Sequence, residues 1–191
     1  MASGSHTFLF TDLVGFTALT AERGDEGAAD VALQFYGRVR ALLVAHRAEE
    51  IKAIGDALMI RCEEPSLAIR LGLRIVSELD EDPDFPAVRV GVNTGTAVRR
   101  EGDWYGAGVN VAARLCAAAG GGEVLVSEPT HEAAGALQQI ELGERRLHWL
   151  KNVTEPVAAR LAEEPPRSDE SQLRRLFCSF KSGPMPLGGT A

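Results

Sequence analysis

The chain is poor in cysteine. Its 191 residues hold three, Cys62, Cys116 and Cys178, odd in number and far apart. Such spacing builds neither a disulfide framework nor a zinc site, and points to a reducing compartment. Long apolar runs are also missing. No stretch approaches the ~20 residues that cross a bilayer, and no signal-peptide pattern opens the chain. A cytoplasmic protein without membrane insertion is the expectation. Positive charge is in deficit, with 20 Lys and Arg against 27 Asp and Glu and a net charge of −7. A general nucleic-acid binder needs a basic face, so nucleic acid is not an expected partner; a small basic pocket for a nucleotide remains compatible. Internal repeats are absent, and Gly120–Gly122 lacks the lysine and serine of a phosphate-cradling loop.

What is present is an ordinary globular composition, 45% apolar and 25% charged. The length suits one domain with a tail. The organising stretch is Phe8 to Thr20, FLFTDLVGFTALT. An apolar, β-branched run stops at Asp12, and Gly15 follows before Phe16 and Thr17. This pattern predicts a buried strand over about His6–Thr11, a tight turn and a helix start, with residues 1–5 frayed. Apolar residues at helical spacing predict a long helix over Ala28–Ala48. EEIKAIGDALMIRCEE reads as a hairpin with Gly55-Asp56 at its tip. Pro65 starts a second helix with Leu67, Leu71, Ile75 and Leu79 inward. VRVGVNTG is a strand continuing to about Arg99, REGDWYGAG a glycine-rich loop, and VNVAARLCAAAG a third helix ended by Gly120–Gly122. EVLVS is a short strand and PTHEAAGAL a short helix. Strands are expected near Gln139–Leu142, Arg146–Leu150 and Val157–Leu161. The order β-α-β-β-α-β, then further α-β pieces, predicts an α/β (α+β) fold with a ferredoxin-like core. Residues 165–191 are polar, then rich in proline and glycine, and read as a flexible tail to a domain of residues 1–164.

Several polar positions carry possible chemistry. Asp12 and Asp56 are expected at the ends of neighbouring strands. Two carboxylates converging there suit hard cations such as Mg²⁺, and two metals can activate an attacking oxygen and neutralise phosphates. The plainer alternative is that each acid caps local backbone. Lys52 lies between apolar neighbours, where it either serves a site or snorkels at a sheet edge. Asp103 sits in a turn-like loop. Asn110 and Arg114, four apart on a helix, share a face, with Val109, Ala112, Ala113 and Cys116 left for packing. An amide and a guanidinium aimed together suit a sugar and a phosphate, although a solvated helix face would look the same.

Taken in order, FTDLVGFT, IKAIGDALM, VRVGVNTG and DWYGAGVNVAARL resemble the catalytic domain of the class III nucleotidyl cyclases, over roughly residues 6–162. The resemblance implies that Asp12 and Asp56, with the backbone carbonyl of Leu13, bind two Mg²⁺ or Mn²⁺ ions per site. It implies that Lys52 and Asp103 read adenine, and that Asn110 and Arg114 act in the transition state. Lys151 would match a phosphate-binding lysine; the family's usual glycine after it is Asn152 here. Guanylyl cyclases of the family typically carry glutamate and cysteine at the base-reading positions, so lysine with aspartate implies ATP as substrate. The expected protein is an adenylate cyclase forming 3′,5′-cyclic AMP and pyrophosphate at the interface of a homodimer. The alternatives are a guanylate cyclase, a non-catalytic nucleotide-binding and dimerisation module, and a regulatory domain acting through its tail.

Overall fold

The structure is a computed structural model that describes residues 4–82 and 84–165. In chain order the elements are β1 (Gly4–Leu13), α1 (Phe16–Leu43), β2 (Ala48–Ile54), β3 (Ala57–Cys62), α2 (Pro65–Asp80), β4 (Val88–Arg100) and β5 (Asp103–Tyr105). They continue with α3 (Ala107–Ala118), β6 (Val124–Ser127), α4 (Glu128–Ala134), β7 (Glu141–Leu142), β8 (Arg146–His148) and β9 (Val157–Glu163). The sheet runs β2-β3-β1-β4-β6-β9-β7, with β5 paired to β4 and β8 to β9. The β2–β3, β3–β1 and β1–β4 pairs are all antiparallel, while β6 adds to β4 in parallel. The first four strands, in the order 2-3-1-4 with two crossover helices, make the expected ferredoxin-like core.

The FLF run is continuous in sequence because the sheet is covered on both faces there. Leu9 and Leu13 enter a large core shared with α1 and α2, which includes Phe35, Val39, Leu71, Ile75, Val90 and Val92. Phe8 and Phe10 point the other way, into a smaller core with Met59, Trp104, Val109 and Ala112 beneath α3. Alternation thus splits one strand between two cores.

Four boundaries differ from expectation. Gly4 and Ser5 are not frayed but pair with Ala97 and Thr96 of β4. The helix start expected after Gly15 falls at Phe16, but it runs on into the helix expected from Ala28 as one element, bent at Gly24, where the backbone leaves helical geometry (φ 73°, ψ 173°) and the apolar period is interrupted. It ends at Leu43; a 3₁₀ turn over Val44–His46 follows, and Ala48 already belongs to β2. The REGDWYGAG stretch is not all loop, since Asp103–Tyr105 forms β5. Three residues are too few to show a strand period. Residues 166–191, the bulk of the expected tail, lie outside the described residues, as does the LRRLFCSF stretch.

Candidate active site

The two acids are brought together by register. Asp12 on β1 is the Cα partner of Ala57 on β3, so Asp56, the residue before Ala57, lies beside it. Asp56 occupies the two-residue tip between β2 and β3, behind Gly55 at φ 61°. That left-handed conformation is one glycine adopts without steric cost. Asp12 does not cap α1: the cap position is Gly15, and no side chain bonds there. Burial pushes the Asp56 carboxyl above its usual range, and the charge of Asp12 adds to the shift. Two like charges this close call for a cation.

Part of that cation is Arg89 of β4, a residue that composition and spacing did not single out. Its guanidinium donates to Asp12 Oδ2 through Nε (2.9 Å) and Nη2 (2.5 Å), and through Nη1 to the Ala117 carbonyl of α3 (3.0 Å). The strand alternation contained a signal for it. Val88, Val90 and Val92 face the large core, so Arg89 must lie on the opposite face, with Phe8 and Phe10. Leu13 closes β1 with its side chain buried, which leaves only its backbone for any polar role.

Lys52 and Asp103 meet as well. Lys52 Nζ lies 2.5 Å from Asp103 Oδ2, and the second carboxylate oxygen accepts from the Trp104 N–H at 2.8 Å. The hydrogen bond from Lys52 holds the Asp103 carboxyl below its usual range. A register shift between Glu50 and Lys52 puts a bulge at this point of β2 and sets Lys52 opposite Met59. Bulges near functional sites re-aim side chains in this way. Met59 pairs in turn with Phe10 of β1, so Lys52 shares the sheet face that carries Asp12.

Asn110 and Arg114 project from α3, Asn110 exposed and Arg114 half-buried, while Val109, Ala112 and Cys116 are buried. The helix is seated directly on β4. A Cβ at Gly91 would lie 2.1 Å from the Cys116 nitrogen and 2.6 Å from the Ala112 carbonyl oxygen. Asn93 clamps the helix start by donating to the Gly108 carbonyl at 2.8 Å. Lys151 is exposed in the loop after β8 and is not brought to the other candidate residues by any hydrogen bond or ion pair among those described. Asn152 behind it has φ 61°, the left-handed conformation that asparagine tolerates better than most residues. The departure from glycine at that position is therefore a conservative one for the backbone.

Cys62 and Cys116 are buried, and burial raises both thiols to about 12, so neither is a nucleophile at neutral pH. Among the described residues no group of three or more His, Cys, Asp or Glu side chains converges on a point. Two carboxylates without a third such side chain fit Mg²⁺, which keeps waters and takes further oxygens from backbone carbonyls or a bound phosphate.

A family model for the adenylate and guanylate cyclase catalytic domain matches residues 2–155. The chain belongs to this family. The pH-sensitive adenylate cyclase MT1302 of Mycobacterium tuberculosis is 38% identical over 154 residues, covering 76% of this chain and 38% of that protein. The adenylyl cyclase CyaB of P. aeruginosa has a similar structure, with a TM-score of 0.74 at 19% identity over 88% of this chain and 100% of that one. The guanylyl cyclase Cya2 superposes equally well, at 0.75 and 21% identity over 88% and 96%. At such identities the likeness concerns the cyclase fold, which adenylyl and guanylyl enzymes share. The chain spans well under half the length of the curated relatives it matches. No helix among the described residues is long and apolar enough to cross a membrane.

Proposed function

We propose that the chain is an adenylate cyclase, converting ATP to 3′,5′-cyclic AMP and pyrophosphate. The observation that carries this is the Lys52–Asp103 pair, a cation and a carboxylate in contact across 51 residues of sequence. Adenine presents a donor at N6 and an acceptor at N1. Asp103 can accept from the first, and Lys52 can donate to the second. Guanine reverses both edges and would leave buried polar atoms unpaired, which hydrogen-bonding sites reject strongly.

The remaining residues take roles by chemistry and place. Asp12 and Asp56, with the Leu13 carbonyl, would hold two Mg²⁺ or Mn²⁺ ions. Bound there, such ions supply Lewis acidity for the 3′-hydroxyl and charge for the triphosphate. Arg89 stands where a phosphate would share its guanidinium with Asp12, since its fork fits phosphate oxygens. Asn110 orients the ribose, so that the 3′-oxygen faces the α-phosphorus. Arg114 offsets charge growing on the α-phosphoryl group, and Lys151 meets the leaving pyrophosphate.

We further propose a homodimer with shared sites, a reading the same placement supports. α3 packs on β4 and β1, and part of the adjoining sheet face, around Lys52 and Ile51, is incompletely covered. A second copy laid on that face would set its Asn110 and Arg114 against the carboxylates of the first, giving a symmetric pair two complete sites. Cyclic nucleotide formed from ATP and from GTP, each with Mg²⁺ and with Mn²⁺, tests the proposal. Cyclic AMP should dominate under both metals. Preferential cyclic GMP, or no product under any of the four conditions, overturns it.

A further inference from the structure

The Lys52–Asp103 contact is weakly held by its own two members. Their side chains are 41% and 24% exposed, and a pair so wet contributes little to its own placement. Asp103 also stands at the start of a strand of only three residues. β4 turns through Glu101 and Gly102, both at positive φ (51° and 84°), and returns as β5, which pairs with β4 through Tyr105, Trp104 and Asp103. A two-residue turn with both centres left-handed makes a tight hairpin. A lone short hairpin is marginal in water, however, and needs a packed side chain to fix it.

That side chain is Trp104, 8% exposed. Its ring lies 4.3 Å from the imidazole of His6 and meets the ring of Phe8 edge-on at 5.7 Å, both on β1. From β3, the guanidinium carbon of Arg61 lies 5.4 Å from the ring centre. The indole therefore ties β5 to two strands, β1 and β3, that β5 does not pair with. Its backbone N–H bonds Asp103 Oδ1, while Oδ2 meets Lys52, so the plane of the carboxylate depends on where residue 104 is seated. The indole N–H itself is buried without a partner, so the ring acts through shape and packing.

We infer that Trp104 is a positioning residue for base selectivity, its packed ring holding Asp103 in the orientation that distinguishes adenine from guanine. This rests on Lys52 and Asp103 reading the base, as proposed above. With the ring removed, the hairpin slides, Asp103 turns, and the purine edge is no longer matched. Both nucleotides then lose the same phosphate and ribose contacts or none, and the discrimination between them shrinks.

The test uses the full chain and three variants, Trp104→Leu, Trp104→Phe and Asp103→Asn. The readout is the ratio of kcat/KM for ATP to that for GTP, with melting temperature and oligomeric state measured in parallel. Trp104→Leu should lower the ratio about tenfold or more, with the loss for ATP mainly in KM. Trp104→Phe keeps one aromatic ring in the packing but gives up the second ring of the indole along with its unbonded N–H, so it should lower the ratio by a clearly smaller factor than Trp104→Leu does. If Trp104→Leu lowers both kcat/KM values by one factor and leaves the ratio alone, the tryptophan is only structural and the inference is overturned. In that case a shifted ratio in Asp103→Asn shows that the aspartate still reads the base. An unchanged ratio in Asp103→Asn overturns that assignment and the positioning role together. Should Trp104→Leu fail to fold, His6→Ala, which removes the ring packed against the indole, must lower the ratio by a smaller factor; an unchanged ratio there overturns the inference. If turnover is too low to measure, the ratio of ATP to GTP affinities by calorimetry reads the same quantity.

Discussion

Asp12 and Asp56 owe their closeness to main-chain register, whereas Lys52 and Asp103 owe theirs to a bulge, a two-residue turn and a buried indole. Asp12 lies on β1 and Asp56 immediately before β3, two inner strands joined by six consecutive Cα pairs. The second pair spans an edge strand and a three-residue hairpin arm. A ladder position changes only if the sheet changes, so the carboxylates should survive most nearby substitutions in place. A position set by side-chain packing changes with one ring. Chemistry that every member of a cyclase family must perform would then sit on the rigid part, and the choice of base on the adjustable part.

The largest expected effect comes from the rigid pair. Asp12→Asn or Asp56→Asn should lower turnover on the order of a hundredfold or more, with melting and oligomeric state little changed, because each removes charge from the proposed metal site. Turnover near wild type in either purified variant, at matched metal, would remove the carboxylates from the metal site.

Next in size is a mixing experiment that separates the two half-sites. Asp12→Ala and Arg114→Ala proteins should each be nearly inactive alone. After subunit exchange about half the dimers are mixed, each with one intact site, so roughly a quarter of wild-type activity should return if sites act independently. Mixed dimers confirmed by two tags, yet silent in the assay, would place both residues in one chain's site and break the shared-site proposal.

A smaller change is expected at the adjustable pair. Lys52→Glu combined with Asp103→Cys should move the ATP to GTP ratio of kcat/KM towards GTP by about tenfold, since both hydrogen-bond polarities change. The comparison fails at this point if the ratio moves the other way, or does not move while activity persists.

The smallest effect lies outside both pairs and serves as a reference for stability. Glu128 at the start of α4 is hydrogen-bonded by Arg160 at 3.1 Å and lies 3.3 Å from His131. The Arg160 hydrogen bond, ahead of His131, holds its carboxyl below the ordinary value of 4.5. A depressed folded value means that the contribution is whole above about pH 4.5 and is lost as the pH falls through the lower folded value. Glu128→Gln should therefore flatten the acid side of a urea-melt series by about 0.2–1 kcal/mol, without touching the ATP to GTP ratio.

Much of the architecture was legible because it is written in local patterns. The FLF run, the Gly55-Asp56 tip, Pro65 at a helix start and the valine alternation of β4 each declare an element within a few residues. Motif order then placed Lys52, Asp56, Asn110 and Arg114 on the right elements, and the shared helix face of Asn110 and Arg114 followed from spacing alone. The bend at Gly24, the bulge at Ile51 and the strand at Asp103–Tyr105 were not legible. Each interrupts a period or is too short to display one.

Alone, the sequence determined the succession of elements apart from β5, the family to which the chain belongs, and the residue types available for metal, base and phosphate. Tertiary structure decided which of them touch. Arg89 reaches Asp12 across 77 residues, Lys52 reaches Asp103 across 51, and Trp104 finds His6, Phe8 and Arg61 on strands it never pairs with. The reason is physical. Helix, strand and turn propensities act over a few residues, whereas a contact between distant residues exists only after the whole sheet has closed and excluded the alternatives.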